Sequence, residues 1–210
     1  MKRTGFQDMS IWRYPFYIML HPIDGFQELR FNKKGSSKVT AVILMLWLAA
    51  ELLYRSVTDY DLNPFNAQNL SFLRVSLITV LMFVMACVSN WCFCSLLDGK
   101  GRMKDIFVVG AYGLLPYVIV RFLCVLLSYF FSMDEQILLT YSVIVIEVWC
   151  FFIILLGLKE IHEYSLKKTI LSLVLTLVGI IIMVFLALLV ITLFQQLLVF
   201  VITVCMELIY

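Results

Sequence analysis

Residues 169–194 read TILSLVLTLVGIIIMVFLALLVITLF, a run without a single charged side chain. An α-helix needs about 20 apolar residues to cross the hydrocarbon of a bilayer, so this run is long enough for one crossing. It does not alternate between apolar and polar residues, as the strands of a membrane β-barrel do. Because unpaired backbone groups are costly in lipid, the run is predicted to be a transmembrane helix.

The rest of the chain repeats this pattern. Of its 210 residues, 63% are hydrophobic and 14% are charged, and the formal net charge is +2. A soluble domain has roughly 45–50% apolar and about 25% charged residues, so this composition excludes an ordinary soluble protein. The near-neutral charge gives no reason to expect nucleic acid as a partner. Four further apolar runs cover residues 39–57, 72–97, 106–131 and 137–158. The sequence therefore predicts an all-α polytopic membrane protein with five transmembrane helices.

The connections between these runs differ in charge. Lysine and arginine are concentrated before the first run, after the second and after the fourth. Acidic residues mark the other connections and the C-terminal segment, namely Asp59, Asp61, Asp134, Glu135 and Glu207. Because cytoplasmic loops carry the excess of Lys and Arg, the pattern predicts a cytoplasmic N-terminus and an external C-terminus. We expect a location in the cell membrane, with lipids as direct partners.

Two flanking segments differ from the transmembrane domain of residues 39–194. Residues 1–38 are predicted to form an amphipathic segment at the cytoplasmic surface, because aromatic side chains of IWRYPFYIML at 11–20 are followed by basic ones. In residues 195–210, only 14 positions follow the polar pair of glutamines, which is too few for another crossing. We expect an apolar or interfacial helix on the outer side that contacts a partner through Gln195, Gln196, Glu207 and Tyr210.

Three ionisable residues, Glu51, Arg121 and Glu147, lie inside apolar runs. A charge in hydrocarbon is expensive, so each is a candidate functional residue. One interpretation is a proton or ion relay, or contact with a polar substrate. The other is a buried ion pair that fixes the packing of the first and third spans, or one that a partner subunit completes. At 1.5 Å per residue, Glu51 and Arg121 lie at matching depths, which is compatible with either.

Other reactive residue types form no recognisable chemical motif. The six cysteines, at positions 87, 92, 94, 124, 150 and 205, fall in apolar segments and lack zinc-site spacing, so we interpret them as small buried hydrophobic residues. His162 precedes Ser165 by three residues, but no hydrolase, zinc-protease or P-loop motif occurs. The sequence predicts no enzymatic activity, no cofactor and no metal.

Three segments together resemble the bacterial branch of the Yip1-domain family: HPIDGFQEL at 21–29, GKGRMKDIFVVGAYGLLPY at 99–117 and GLKEIHEYSLKKTILSL at 157–173. The resemblance covers about residues 14–210. Its motif-like positions are His21, Pro22, Gly25, Phe26, Gly99, Gly101, Tyr112, Pro116, His162 and Ser165. The Asp-Leu-Tyr-Gly-Pro motif of the eukaryotic trafficking members is absent.

The resemblance implies a non-enzymatic membrane protein with five helices and a cytoplasmic N-terminus. The tail FQQLLVFVITVCMELIY at 194–210 is similar to that of relatives found alongside sugar-importing ABC transporter permeases in Gram-positive bacteria. It therefore implies an accessory subunit that binds and stabilises a carbohydrate ABC importer. Two alternatives stay open. One is a small oligomeric transporter or channel that uses Glu51, Arg121 and Glu147, and the other is a membrane-organising or trafficking protein.

Overall fold

The computed structural model describes residues 10–57, 71–131 and 135–209. These residues form helices and contain no strand, which confirms the predicted all-α class. The helices are α1 (Tyr14–Leu20), α2 (Pro22–Asn32), α3 (Ser37–Val57), α4 (Phe72–Leu96), α5 (Met103–Gly113), α6 (Leu115–Leu127), α7 (Gln136–His162) and α8 (Leu166–Ile209). Asp59, Asp61, Asp134 and Tyr210 lie outside the described residues.

Five stretches of helix are long and apolar enough to cross a membrane, as the sequence predicts. They are Ser37–Ser56, Phe72–Leu96, Met103–Leu127, Ile137–His162 and Leu166–Glu207. The third is interrupted at Leu114, where α5 ends and α6 begins. Pro116 follows in the first turn of α6, where its missing N–H is tolerated. The helix therefore breaks two residues before this proline.

Alternating helix directions divide the loops between two ends of the bundle. The α1–α2 hairpin, the α4–α5 loop and the α7–α8 loop lie together at one end, which we call the basic end because it carries Arg30, Lys100 and Lys104. Contacts across this end include a hydrogen bond from Gln27 Nε2 to Glu160 Oε2 at 3.1 Å. The opposite end, where α3 and α6 terminate, is called the distal end.

One face of the α1–α2 hairpin is part of the core. Ile18 and Phe26 are fully buried, and α1 and α2 pack against α5 and α7. A Cβ on Gly157 of α7 would lie 2.9 Å from Cε2 of Phe26, so only glycine leaves room for this ring. The hydroxyl of Tyr14 donates a hydrogen bond to the carbonyl of Gly25 at 2.6 Å and joins the two short helices. The predicted surface segment is thus also a structural element of the bundle.

Polar side chains join α4 to α8. Asn90 Nδ2 donates a hydrogen bond to Thr176 Oγ1 at 2.9 Å, and Ser89 Oγ donates one to the Thr176 carbonyl at 2.8 Å. One turn further along α8, a Cβ on Gly179 would lie 2.5 Å from the ring of Phe93. Small residues and interhelical hydrogen bonds are typical of helix packing in lipid, where apolar burial gives little net attraction.

Helix α8 is longer than a bilayer requires. Its 44 residues extend over about 66 Å, whereas the hydrocarbon core is about 30 Å thick. The helix continues through Gln195 and Gln196 without a break, and its described side chains are exposed from position 184 onward. The extended C-terminal helix is therefore confirmed. The division of the chain into residues 1–38, 39–194 and 195–210 stays a prediction.

Candidate functional site

The structure brings Glu51 and Arg121 together between α3 and α6. Nε of Arg121 lies 3.7 Å from Oε1 of Glu51, and Nε of Arg55 lies 3.7 Å from Oε2. The Tyr117 hydroxyl donates a hydrogen bond to Oε1 of Glu51. Residues four apart share a helix face, so Tyr117 and Arg121 of α6 both meet the face of α3 that carries Glu51 and Arg55. Glu51 itself is only 7% exposed.

Aromatic rings surround the Arg121 guanidinium. Its Cζ lies 3.8 Å from the ring centroid of Tyr54 and 5.3 Å from that of Tyr117. Cation–π contacts of this kind partly replace the water that a buried guanidinium loses. Counting 1.5 Å per residue, Glu51 and Arg121 both lie roughly 9 Å from the distal ends of their helices. The arrangement links the first and third spans at one depth, as the structural interpretation of these charges expects.

Glu147 is separate from this cluster. It is exposed on α7 and forms no ion pair with any side chain in the described ranges. It nevertheless lines a cavity of about 330 Å³ together with Glu51 and Tyr117, so three helices contribute polar groups to one space. Of the three charged candidates, two are thus paired directly, and the third shares a cavity with Glu51.

A second cluster at the basic end contains several of the motif-like positions. The backbone N–H of Gly101 donates a hydrogen bond to Nδ1 of His162 at 3.3 Å. The His162 side chain is 2% exposed and stacks on Tyr164 with a centroid separation of 5.2 Å. A Cβ on Gly99 would overlap with Nδ1 of His162 and with the hydroxyl oxygen of Tyr164. These two glycines therefore allow the α4–α5 loop to lie directly on the end of α7.

Tyr164 is the residue of this cluster that sequence reasoning missed. Its hydroxyl donates a bifurcated hydrogen bond to the carbonyls of Cys94 and Leu97, at 3.0 and 3.1 Å, at the C-terminal end of α4. Burial raises the pKa of Tyr164 to about 12. Its position between His162 and the start of α8 was the available signal, but an aromatic residue in a loop does not reveal which helix end it caps.

The other motif-like positions shape the hairpin and the helix ends. His21 separates α1 from α2 and stacks on Tyr17 at 5.0 Å, and Pro22 occupies the first turn of α2. Ser165 Oγ accepts a hydrogen bond from the Lys168 N–H at 3.4 Å, at the start of α8. Tyr112 is fully buried, and its hydroxyl oxygen accepts a hydrogen bond from the Ser36 N–H at 3.3 Å.

Glu28, Arg30 and Glu163 add charge at this end. Glu163 terminates α7 in a left-handed conformation with φ of 57°. Its Oε2 lies 2.5 Å from Lys100 Nζ, and its Oε1 lies 3.7 Å from Arg30 Nε. The hydrogen bond from Lys100 is the main reason that the pKa of Glu163 lies below its ordinary value. These pairs link all three loops of the basic end electrostatically.

The remaining candidates stay apart from both clusters. Gln195, Gln196 and Glu207 are exposed on α8. Cys92 and Cys205 are exposed as well, which corrects the expectation of uniformly buried cysteines, because their positions face outward from α4 and α8; the other four are buried. Among the described residues, no group of three or more His, Cys, Asp or Glu side chains is placed to hold a metal ion.

Comparison with known proteins identifies the family. A sequence model of the Yip1 domain matches residues 16–204, which is most of the chain and includes four of the spans and all but the last three residues of the fifth. No curated protein and no solved structure matches. The family match carries no information on a bacterial origin or on ABC permeases as partners. Five membrane-spanning helices and this match make the chain a multi-pass membrane protein that belongs to the Yip1 domain family.

Proposed function

We propose that this chain is a non-catalytic membrane-organising protein whose α1–α2 hairpin acts on the lipid surface at the basic end. The observation that carries the proposal is that the hairpin has two apolar faces. One face packs into the bundle through Ile18 and Phe26. The other exposes Phe16, Leu20, Ile23 and Phe31, and Ile11 and Trp12 are exposed on the turn just before α1.

Such a hairpin is suited to the headgroup layer. An interfacial helix buries its apolar face about 5–10 Å into the boundary between headgroups and acyl chains. Here the bundle holds the helices in place, so their insertion displaces lipid at a fixed position relative to the spans. Nearby basic residues attract anionic headgroups, by about 1 kcal/mol each at the membrane surface. The hairpin therefore inserts apolar side chains between the lipids and also favours anionic headgroups.

The Yip1 domain match supports membrane organisation or trafficking better than an importer subunit. We keep the orientation inferred from charge, with the basic end in the cytoplasm, and the cell membrane as location. Glu51 and Arg121 support this choice indirectly, because both are engaged in packing the first and third spans. A transporter based on these charges would need them available to a permeating ion.

The experiment reconstitutes the full chain into phosphatidylcholine vesicles with and without phosphatidylserine and measures vesicle diameters by electron cryo-microscopy. We expect smaller or tubulated vesicles than protein-free controls, with the larger effect in anionic lipid. The double variant Trp12→Ser, Phe16→Ser should abolish the effect. Phe130→Ser removes an aromatic ring at the distal end that is even more exposed than Trp12 and Phe16, and should preserve the effect. Wild-type protein that leaves vesicle shape unchanged would refute the proposal.

Binding of a protein partner through α8 is a second candidate. The part of α8 after position 184 is exposed and almost wholly apolar. It favours a protein partner because α8 has more residues than one crossing of the bilayer requires. A carbohydrate ABC permease is one such partner, implied by the resemblance of the tail and not by the family match. Co-purification in mild detergent tests it: full-length chain should recover stoichiometric permease and ATPase, and a chain ending at Phe194 should not. Recovery of the chain alone argues against this candidate.

A further inference from the structure

The cavity beside Glu147 lies between α3, α6 and α7, and we call it the acidic cavity. Its volume is about 330 Å³. Two carboxylates, Glu51 and Glu147, and the phenol of Tyr117 provide its polar lining. The rest of the lining is apolar or aromatic, from Trp47, Leu114, Cys150, Phe151 and Ile154. Glu147 and Phe151 are both exposed, so the cavity opens sideways, in the direction of the lipid.

A second cavity adjoins it deeper in the bundle. This apolar cavity has a volume of about 240 Å³ and lies among α3, α4, α5, α7 and α8. It shares Trp47, Leu114 and Ile154 with the acidic cavity. A third space of about 250 Å³ on the α3–α4 side shares Trp47 and Phe83 with the apolar cavity. The three cavities are thus consecutive around the Trp47 side chain.

The two carboxylates of the acidic cavity differ in their charged and hydrogen-bonding neighbours. Glu51 already has a phenol and two guanidiniums beside it. Glu147 has no ion-pair partner among the described side chains, although it lies roughly 15 Å from one end of its span and about 22 Å from the other. A carboxylate at this depth calls for a cation. A ligand that complements the charge of Glu147 in this cavity therefore carries a positively charged group.

The walls restrict what that cation is. The aromatic side chains of Trp47, Tyr117 and Phe151 line the cavity, and an ammonium group is attracted to aromatic rings. An anionic ligand would be repelled by the Glu147 carboxylate. A small hydrated cation would lose its water against mostly apolar walls. An alkyl tail, in contrast, finds in the adjoining apolar cavity surroundings as apolar as the lipid that it leaves.

We propose that the acidic cavity binds the ammonium head of a single-chain amphiphilic amine, with Glu147 as its counter-ion, and that the apolar cavity receives its alkyl tail past Trp47. This site is independent of the hairpin and of the membrane-organising function. The lateral opening lets the ligand enter from the bilayer, where an amphiphile of this type partitions.

The test measures binding of radiolabelled hexadecylamine to the full chain in phosphatidylcholine nanodiscs, with hexadecanol and palmitate as probes of equal tail length. The amine should bind more tightly than both. Glu147→Gln should weaken amine binding by about tenfold or more, because it removes a charge-assisted hydrogen bond, and should leave hexadecanol unaffected. Glu207→Gln removes a carboxylate from an exposed position on α8 and should change nothing. Equal affinity for amine and alcohol, or an unchanged Glu147→Gln affinity, would overturn the proposal.

A second variant tests the tail separately. Ala86 lines the apolar cavity but not the acidic one. Ala86→Phe should reduce the affinity for hexadecylamine and leave that for methylamine unchanged, because methylamine has no tail to enter the apolar cavity. Thermal unfolding in the same nanodiscs establishes that each variant is folded. A loss that is equal for both amines, or no loss for either, contradicts the assignment of the tail.

Discussion

The backbone N–H of Gly101 donates a hydrogen bond to Nδ1 of His162 at 3.3 Å, and so attaches the α4–α5 loop to the end of α7. Because Nδ1 accepts this bond, Nε2 carries the proton of the neutral ring. Nε2 is buried and meets no acceptor in the described part of the chain. The ring also stacks on Tyr164, whose hydroxyl holds the end of α4. His162 is therefore a packing centre for three helix ends.

Gly99→Ala should destabilise the folded protein. A Cβ at this position would lie 2.8 Å from the Cys94 carbonyl oxygen, a backbone atom that cannot move aside cheaply, and would overlap with His162. We expect a loss of about 1–3 kcal/mol in the free energy of unfolding, as for other overpacked sites. Thermal unfolding in detergent, followed by tryptophan fluorescence, measures it.

Gly35→Ala is the matched control, because its Cβ would meet only side-chain atoms, the nearest being Val108 Cγ1 at 3.3 Å. It should lower the midpoint by less than Gly99→Ala does. Equal midpoints for the two variants would show that the contact with His162 does not restrict the size of the side chain at position 99.

Glu51→Gln should be strongly destabilising. The change leaves the Arg55 and Arg121 guanidiniums at 3.7 Å from a neutral amide. Removing one partner of a buried ion pair typically costs about 3–5 kcal/mol, because the remaining charge is uncompensated. The unfolding midpoint in detergent gives the measurement, and Glu207→Gln at an exposed position provides a control that should behave as wild type.

Replacing both partners separates pairing from packing. In Glu51→Leu, Arg121→Met no charge of the pair remains, so the double variant should be more stable than the sum of its single changes predicts. Additive losses would mean that Glu51 and Arg121 contribute independently, and the interpretation of these residues as a lock between α3 and α6 would fail.

The Asn90–Thr176 hydrogen bond should contribute modestly to stability. Across helices in a membrane such bonds average about 0.6 kcal/mol and reach about 1.7 kcal/mol. A double-mutant cycle of Asn90→Ala and Thr176→Val, measured by unfolding midpoints, should give a coupling energy in this range. Ser95→Ala paired with Thr176→Val is the control, because Ser95 bonds within its own helix to the Trp91 carbonyl. Coupling in the control and none in the Asn90 cycle would contradict the assignment.

Apolar run length was sufficient to predict the fold class. A run such as 169–194 has one stable solution in lipid, because only a helix satisfies its backbone internally. Local sequence likewise indicates that Pro116 disturbs its helix, because proline has no backbone N–H to donate. Where α8 ends was harder to predict, since Gln195 and Gln196 are compatible with a helix and signal a break only if a turn is favoured at that point.

The candidate site was only partly predictable. Matching depths along two helices allowed Glu51 and Arg121 to meet, but helix rotation decides which faces meet, and the sequence of a single span does not specify it. For that reason the sequence did not show that Tyr117 joins this pair, or that Glu147 shares a cavity with Glu51. Tyr164 was missed because its hydrogen-bond partners Cys94 and Leu97 lie 70 and 67 residues away in the sequence.

The ion pairs of Glu163 should make stability depend on pH in the acid range. The hydrogen bond from Lys100 Nζ, at 2.5 Å, keeps the pKa of Glu163 below the ordinary value of 4.5. A carboxylate with a lowered pKa in the folded state stabilises it above the ordinary pKa, and this contribution is lost as the pH falls through the folded-state pKa. The unfolding midpoint of wild type relative to Glu163→Gln should therefore be higher at pH 6 and converge below pH 4.5. Because the pair is exposed, 0.5 M salt should shrink the difference at pH 6 as well. A difference that persists unchanged into the acid range would show that the Glu163 side chain stabilises the loop through its shape and not its charge.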